Sequence, residues 1–439
     1  MIDLSINCGG IKSPNPFWLA SAPPTNSGYQ VCHAFEQGWG GAVWKTIGEP
    51  VMNVCNRYGG YDYNGQKLVG LNNIELISDR PIELNLKEIA ETKRLWPDRA
   101  VVVSLMVESK KETWHEIVKR AIDTGCDGIE LNYGCPHGMS ERGMGSAVGQ
   151  VPEYCKMITE WVTEVSTIPV LVKLTPNVSN IVYPARAARS AGASGISLIN
   201  TINSIIGVDL DTFEIKPSVA GKGGHGGYAG AAVKPIALHL ISQVALDEEV
   251  NLPISGIGGI TNWKDAVEFI LLGSSSVQVC TAVMHYGFRI VKDMIEGMTN
   301  WMESKGFSSI DEIRGKALPH LDNFGNFNLL HKTVARIDQK KCIHCNLCYI
   351  ACEDGAHQCI DLIPMNGHNK TVVREDDCVG CSLCSLVCPV EDCISMVKTD
   401  DSSGEKTWNG LMNDYQKESK PLTWENLAEF QKSHGIIIH

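Results

Sequence analysis

The sequence predicts an α/β chain in which a (β/α)8 barrel is followed by a small cysteine-rich module. Three observations point there. Eight short β-rich runs alternate with helix-like segments as far as Asn300. Most of those runs are continuously apolar, as parallel strands covered on both faces require. Eight of the chain's 17 cysteines then crowd into two runs between Cys342 and Cys388.

In chain order the runs are "PFWLASA", "GGAVWKTI", "AVVVSLMV", "GIELNYG", "PVLVKLT", "GISLINT", "LPISGIGG" and "SSVQVCTAV". Between them, segments such as "KETWHEIVKRAIDTG", "IVYPARAARSAG" and "TNWKDAVEFILLG" carry helical periodicity and stop at Gly. Eight strands, each with a following helix, favour a closed barrel over a doubly wound open sheet. Two connections are too long for barrel turns: Gly48 to about Arg80, and Ile202 to about Ala232. Long loops in a compact domain usually cover a site, and loops after strands lie at the C-terminal face of a barrel. The expected organisation is a barrel over residues 1–306, a connecting segment 307–337, a cysteine module 338–397 and a polar tail 398–439. The tail offers one amphipathic helix, in "LTWENLAEFQKS", and reads as a solvated appendage.

Composition bounds the partners. With 44% hydrophobic and 20% charged residues the chain is globular, and its formal charge of −12 argues against nucleic acid or an anionic membrane. No apolar run reaches 18 residues, and "MIDLSINCGG" lacks the features of a signal peptide, so a cytoplasmic protein is expected. A reducing compartment disfavours disulfides, which turns the clustered cysteines toward metal chemistry.

"CIHCNLCYIAC" and "CVGCSLCSLVCP" both follow the C-x2-C-x2-C-x3-C spacing of bacterial-type ferredoxins. In that arrangement the fourth cysteine of each run crosses to the other cluster. Cys342, Cys345, Cys348 and Cys388 are expected to hold one [4Fe–4S] cluster, and Cys378, Cys381, Cys384 and Cys352 the second. Paired zinc knuckles would be spaced differently. Cys352 is followed by Glu353 rather than proline, and Cys359 and Cys393 lie outside the pattern as small buried residues. Two clusters carry single electrons, so the barrel is expected to hold a redox cofactor.

The polar residues at the strand ends are Ala20–Ser21, Lys45–Thr46, Asn132–Cys135, Lys173–Thr175, Asn200–Thr201, Gly258–Gly259 and Cys280–Thr281. "AVWKT" and "VLVKLT" bury a lysine, which needs an anionic partner: a structural carboxylate for either alone, or an anionic cofactor such as reduced flavin for both. "SGIGGI" and "CTAV" lie where barrels bind phosphate. "GKGGHG" matches G-x-G-x-x-G at Gly221, Gly223 and Gly226, but no strand precedes it and no helix opens on it; no other dinucleotide fingerprint appears. Cys135 sits at the mouth of a glycine-rich loop, before Pro136, where a purely structural cysteine is out of place.

These residues resemble a known family. "NPFWLASAPPT", "LNNIELIS", "GCPHGMSERGMG", "VKLTPNV", "LINT", "SGIGGI" and "VQVCTAV", followed by the ferredoxin module, are similar to the FMN barrel of the dihydropyrimidine dehydrogenases. The resemblance covers nearly all of residues 1–397 and is greatest to the shorter bacterial type, which works with a separate flavoprotein subunit. It implies FMN held by Ala20, Ser21, Lys45, Lys173, Gly258, Gly259, Cys280 and Thr281. It implies a pyrimidine held by Asn73, Asn132, Asn200 and Thr201, since an asparagine amide both donates and accepts toward an imide. Cys135 corresponds to the family's general acid, giving a proton to C5 while hydride reaches C6. A thiol with an ordinary pKa of about 8.5 is protonated at neutral pH and able to do so.

The glycine-rich loop would then act as a lid, with His137 either tuning Cys135 or idle. Tyr133–Gly134 departs from the Leu–Ser pair frequent in the family. The resemblance also implies an FAD- and NAD(P)H-binding flavoprotein partner in a heterotetramer or other hetero-oligomer, with NAD(P)H used only through it. Two alternatives stand beside this reading. One is a dihydroorotate dehydrogenase, which shares the FMN barrel and a cysteine but usually lacks a fused ferredoxin module. The other is a non-catalytic electron-transfer subunit, which leaves the lysines, asparagines and Cys135 without a task.

Overall fold

The computed structural model of the chain describes residues 2–48, 51–136, 143–365, 367–399, 404–417 and 421–433. They form two compact units, 1–319 and 320–439. Within the first, the eight apolar runs become eight strands: β1 (Phe17–Leu19), β2 (Gly41–Gly48), β3 (Ala100–Met106), β4 (Gly128–Asn132), β5 (Val170–Lys173), β6 (Gly195–Leu198), β7 (Ile254–Ile257) and β8 (Ser274–Val279). They pair in parallel and in sequence, and β8 returns to β1 to close the barrel. Every residue of β3, β4, β5 and β8 is buried, because side chains point alternately to the barrel interior and to the surrounding helices.

Helices follow each strand: α1 (Gly28–Gln37), α2 (Ile82–Leu95), α3 (Lys111–Ile122), α4 (Pro152–Thr163), α5 (Val182–Ser190), α6 (Lys234–Ala245), α7 (Trp263–Leu271) and α8 (Ile290–Lys305). Local chemistry sets their ends. Asn262 caps α7 by accepting from the Lys264 and Asp265 backbone N–H groups at 2.8 and 3.2 Å. Gly38, at φ +118°, stops α1 in a left-handed conformation that a side chain would disfavour. Ile310 and Ile313, just beyond α8, are fully buried in the barrel's core, so the first part of the connecting segment packs against the barrel.

The two long connections are more regular than loops. Tyr58–Tyr63 and Gln66–Asn73 from the first, with Ile202–Ser204 and Gly226–Ala229 from the second, make a four-stranded antiparallel sheet. Glycines and polar residues interrupt these strands, so no apolar alternation marks them for a periodicity reading.

In the second unit, Thr333–Ile337 pairs antiparallel with Ile394–Lys398, and Ile360–Met365 with His368–Val373. The tail corrects the expectation of a solvated appendage. Besides the expected helix, Trp424–Ser433, it forms a second, Trp408–Lys417. Leu411, Tyr415 and Phe430 are buried with Leu329 and Leu427, and the Tyr415 and Phe430 rings meet edge-on at 5.2 Å. One narrow apolar stripe per helix is enough for this, and surrounding charge conceals it in the sequence.

Candidate active site

At the ends of the barrel strands lies a cleft that is open to solvent, with about 1380 Å³ of empty space in and before it. Ala20, Ser21, Lys45, Lys173, Gly258, Gly259, Cys280 and Thr281 all line it, as do Cys135, Asn73, Asn132, Asn200 and Thr201. The chain thus brings thirteen residues from seven barrel strand ends and one added sheet to a single cavity. Asn73 comes from that sheet, where its Nδ2 donates to the Gly227 carbonyl at 3.0 Å.

Both buried lysines have carboxylate partners. Lys45 Nζ donates to Glu75 Oε1 at 2.8 Å, and Glu75 also meets Arg57 at 3.2 Å and accepts from the Tyr58 hydroxyl. Burial, and then the Glu75 carboxylate, push the Tyr58 phenol above its ordinary range. Lys173 stands 3.8 Å from Glu130, a carboxylate wholly buried in the barrel interior. Glu130 also accepts from Gln278 Nε2 at 3.3 Å, and Gln278 donates to Ser255 at 3.0 Å. Sequence reading missed both acids, although each sits between an isoleucine and a leucine, in "NNIELIS" and "GIELN". A charge in such a run was the available signal. Burial pushes the Cys280 thiol up to about 12, so at neutral pH it is an uncharged part of the wall.

The asparagines are positioned in turn. Asn132 Nδ2 donates to Thr46 Oγ1 at 2.9 Å, while Asn132 Oδ1 accepts from the Gly134 N–H at 3.1 Å and from Asn200 Nδ2 at 3.4 Å. Gly134 is explained by this packing: a Cβ there would lie 2.3 Å from Asn200 Nδ2. Tyr133 points the other way, its hydroxyl 3.1 Å from Thr159 Oγ1 in the core. The serine hydroxyl frequent in the family therefore has no room beside Asn200 in its present place.

Cys135 is buried beside Ile77, Met106 and Met144, and its carbonyl accepts from the Ser146 N–H at 3.0 Å. Gly145, at φ +58°, is pressed so close that a Cβ would come within 2.9 Å of Cys135 Cβ. His137 and the loop through residue 142 lie outside the described residues, and so does the expectation of a lid.

A flat anionic cofactor with a phosphate tail fits these walls. Two ammonium groups enter from different strands, and Gln278, which lines the cleft, keeps an Oε1 with no partner among the described residues. Gly258 and Gly259 bring backbone to the cleft at φ +128° and +78°, where a Cβ would collide with Ala237 and Lys234. Backbone exposed in this way is what phosphate sites at this end of a barrel use.

The ferredoxin-like unit holds two smaller cavities, of about 320 and 350 Å³. Cys342, Cys345, Cys348 and Cys388 line the first, and Cys378, Cys381, Cys384 and Cys352 the second. The crossing of the fourth cysteine is thus present in the backbone. Local conformation repeats as well: His344 and Gly380, two residues after the first cysteine of each run, have positive φ, as do Asn346 and Ser382, four after it. Thiols spread around a wider cavity suit a multi-iron cluster better than a single zinc. Cys359 and Cys393 are buried, as expected, and form part of the walls of the second and first cavity.

Residues 4–302 match the dihydroorotate dehydrogenase family, and residues 335–396 match the 4Fe-4S dicluster domain. The NAD-dependent dihydropyrimidine dehydrogenase subunit PreA of Escherichia coli is 40% identical over 92% of this chain and 98% of its own length. The chloroplastic dihydropyrimidine dehydrogenase (NADP(+)) of Arabidopsis thaliana is 40% identical over 77% of this chain and 82% of its own. The catalytic subunit of dihydroorotate dehydrogenase B (NAD(+)) from Pyrococcus abyssi is 37% identical over 72% of this chain and 99% of its own.

Proposed function

The chain belongs to the dihydroorotate dehydrogenase family and carries a 4Fe-4S dicluster domain behind the family's barrel, and from that premise we propose that it reduces the 5,6 double bond of uracil or thymine. It is a dihydropyrimidine dehydrogenase subunit that binds FMN and two [4Fe–4S] clusters. It works in the cytoplasm with an FAD- and NAD(P)H-binding flavoprotein in a hetero-oligomer such as a heterotetramer. Electrons drawn from NAD(P)H by that partner reach the barrel one at a time through the ferredoxin-like unit. Among the described residues no helix is long and apolar enough to cross a membrane.

The observation that carries this reading is the convergence of Cys135 and three asparagines on the cleft that Lys45 and Lys173 also enter. FMN, when bound, supplies hydride chemistry at its N5. Lys45 and Lys173 hold its negative edge, Ala20, Ser21, Cys280 and Thr281 wall it in, and Gly258 and Gly259 offer backbone to its phosphate. Asn73, Asn132, Asn200 and Thr201 hold the pyrimidine imide, each amide accepting from an N–H or donating to a carbonyl. The Asn132–Asn200 link limits their freedom, so the ring is oriented before reaction. Cys135 Sγ would give the proton that C5 needs when C6 takes a hydride, leaving a thiolate that solvent reprotonates. The cysteine assignments to the two clusters are those of the two cavities.

The dihydroorotate alternative would ask the cleft to receive an extra carboxylate. The dicluster domain over residues 335–396, which dihydroorotate dehydrogenases usually lack, favours the pyrimidine reading. Assay of the chain with its flavoprotein partner and NAD(P)H, offering uracil or orotate, tests the reading. Consumption of uracil supports it, and consumption of orotate alone refutes it.

A further inference from the structure

We propose that the Cys359 thiol donates a hydrogen bond to the ligand sulfur of Cys352 and thereby raises the reduction potential of the cluster held by Cys378, Cys381, Cys384 and Cys352. The inference rests on the ligand assignment proposed above. Cys359 Sγ lies 3.6 Å from Cys352 Sγ, and the Cys359 backbone N–H reaches the same sulfur at 3.4 Å. The side chain is buried and forms part of the cavity wall. Ile360, the next residue, opens the strand Ile360–Met365, which pairs along its length with His368–Val373 and holds the donor in place.

The direction of the bond follows from the metal. An iron-bound cysteine is a thiolate and can only accept, so of these two sulfurs Cys359 carries the proton. A donor to a ligand sulfur draws electron density from it, which favours the reduced cluster with its additional negative charge. Packing alone would be served by alanine or valine, whereas this position puts a thiol against a ligand.

Cys393 supplies an internal comparison. It too stands just before a strand, Ile394–Lys398, and lines the other cavity. Its thiol donates to the Asp338 carbonyl at 3.7 Å and also stands against the Cys388 thiol, so it belongs to the other cluster's surroundings and not to this one. At that site Cys342 Sγ instead meets the His344 N–H at 3.4 Å and the His344 ring Nδ1 at 3.9 Å.

The test is a redox titration of the anaerobically reconstituted full chain, followed by electron paramagnetic resonance. Wild type is compared with Cys359→Ala, Cys359→Val, Cys359→Ser and Cys393→Ala. In whichever donor-free variant assembles both clusters, one of the two midpoint potentials falls. Cys359→Ser, which keeps a donor, stays nearer to wild type, and Cys393→Ala leaves that step where it was. Unmoved potentials in Cys359→Ala or Cys359→Val overturn the proposal. If neither of those assembles both clusters while Cys352→Ala does, Cys359 is itself the ligand and the proposal is again overturned. A wild-type chain with fewer than two clusters instead refutes the ligand assignment on which it rests.

Discussion

The Lys45 ammonium stands 2.8 Å from the Glu75 carboxylate, with both side chains almost wholly shielded from water. A lysine buried at a strand end is tolerable because an acid from a different element, the added sheet and its exit, meets it there. Removing one partner of such a pair leaves a buried charge, at a cost of about 3–5 kcal/mol. Glu75→Gln is therefore expected to lower the thermal stability of the FMN-free chain. Added FMN, offering Lys45 a new anionic partner, is expected to stabilise this variant more than wild type. Melting curves with and without FMN measure the difference, and equal FMN effects would separate Lys45 from the cofactor.

How much of this was legible in the sequence follows from how each element earns its burial. The barrel strands were readable because parallel strands covered on both faces must be largely apolar, and "AVVVSLMV" is so except at Ser104. The cluster cysteines were readable because a covalent spacing encodes them. Glu75 and Glu130 were not singled out, since an acid's partner is set by tertiary approach: Glu75 is 30 residues from Lys45, and Glu130 reaches Gln278 across 148. The antiparallel sheet over residues 58–73 and 202–229 escaped for another reason. Its backbone pairing is not accompanied by an apolar alternation.

Cys135 is expected to matter for rate and not for assembly. A general acid contributes roughly 10²–10⁴-fold to a rate. Cys135→Ala should therefore lose at least about 10²-fold in turnover while FMN and cluster absorbance persist. Turnover unchanged in that variant would remove Cys135 from the mechanism.

Gly134 is expected to control the substrate asparagines. Because a Cβ there would lie 2.3 Å from Asn200 Nδ2, Gly134→Ser must push Asn200 aside and strain its bond to Asn132. One lost polar contact of about 1.4 kcal/mol is a tenfold weakening. The KM for the pyrimidine should rise by about that factor while FMN content stays constant. An unchanged KM would place Asn200 away from the substrate.

Alkaline pH is expected to destabilise the barrel through its buried thiols. Cys155 on α4 is fully buried, and desolvation pushes it from 9.0 to about 12. A raised folded-state value means the native chain keeps the proton that the unfolded chain releases. This contribution is complete below pH 9 and declines as pH rises toward 12, by about 1.4 kcal/mol per pH unit. Melting temperatures between pH 8 and 11 should fall less steeply for Cys155→Ala than for wild type. Parallel slopes would contradict the assignment.

The central claim is that this barrel, by itself, exchanges two hydrogens with a neutral pyrimidine. The most direct measurement follows flavin absorbance of the chain, reconstituted anaerobically with iron, sulfide and FMN, as dihydrouracil or dihydroorotate is added without any partner protein. The account predicts bleaching by dihydrouracil and none by dihydroorotate. Bleaching by dihydroorotate alone, or by neither, would contradict it.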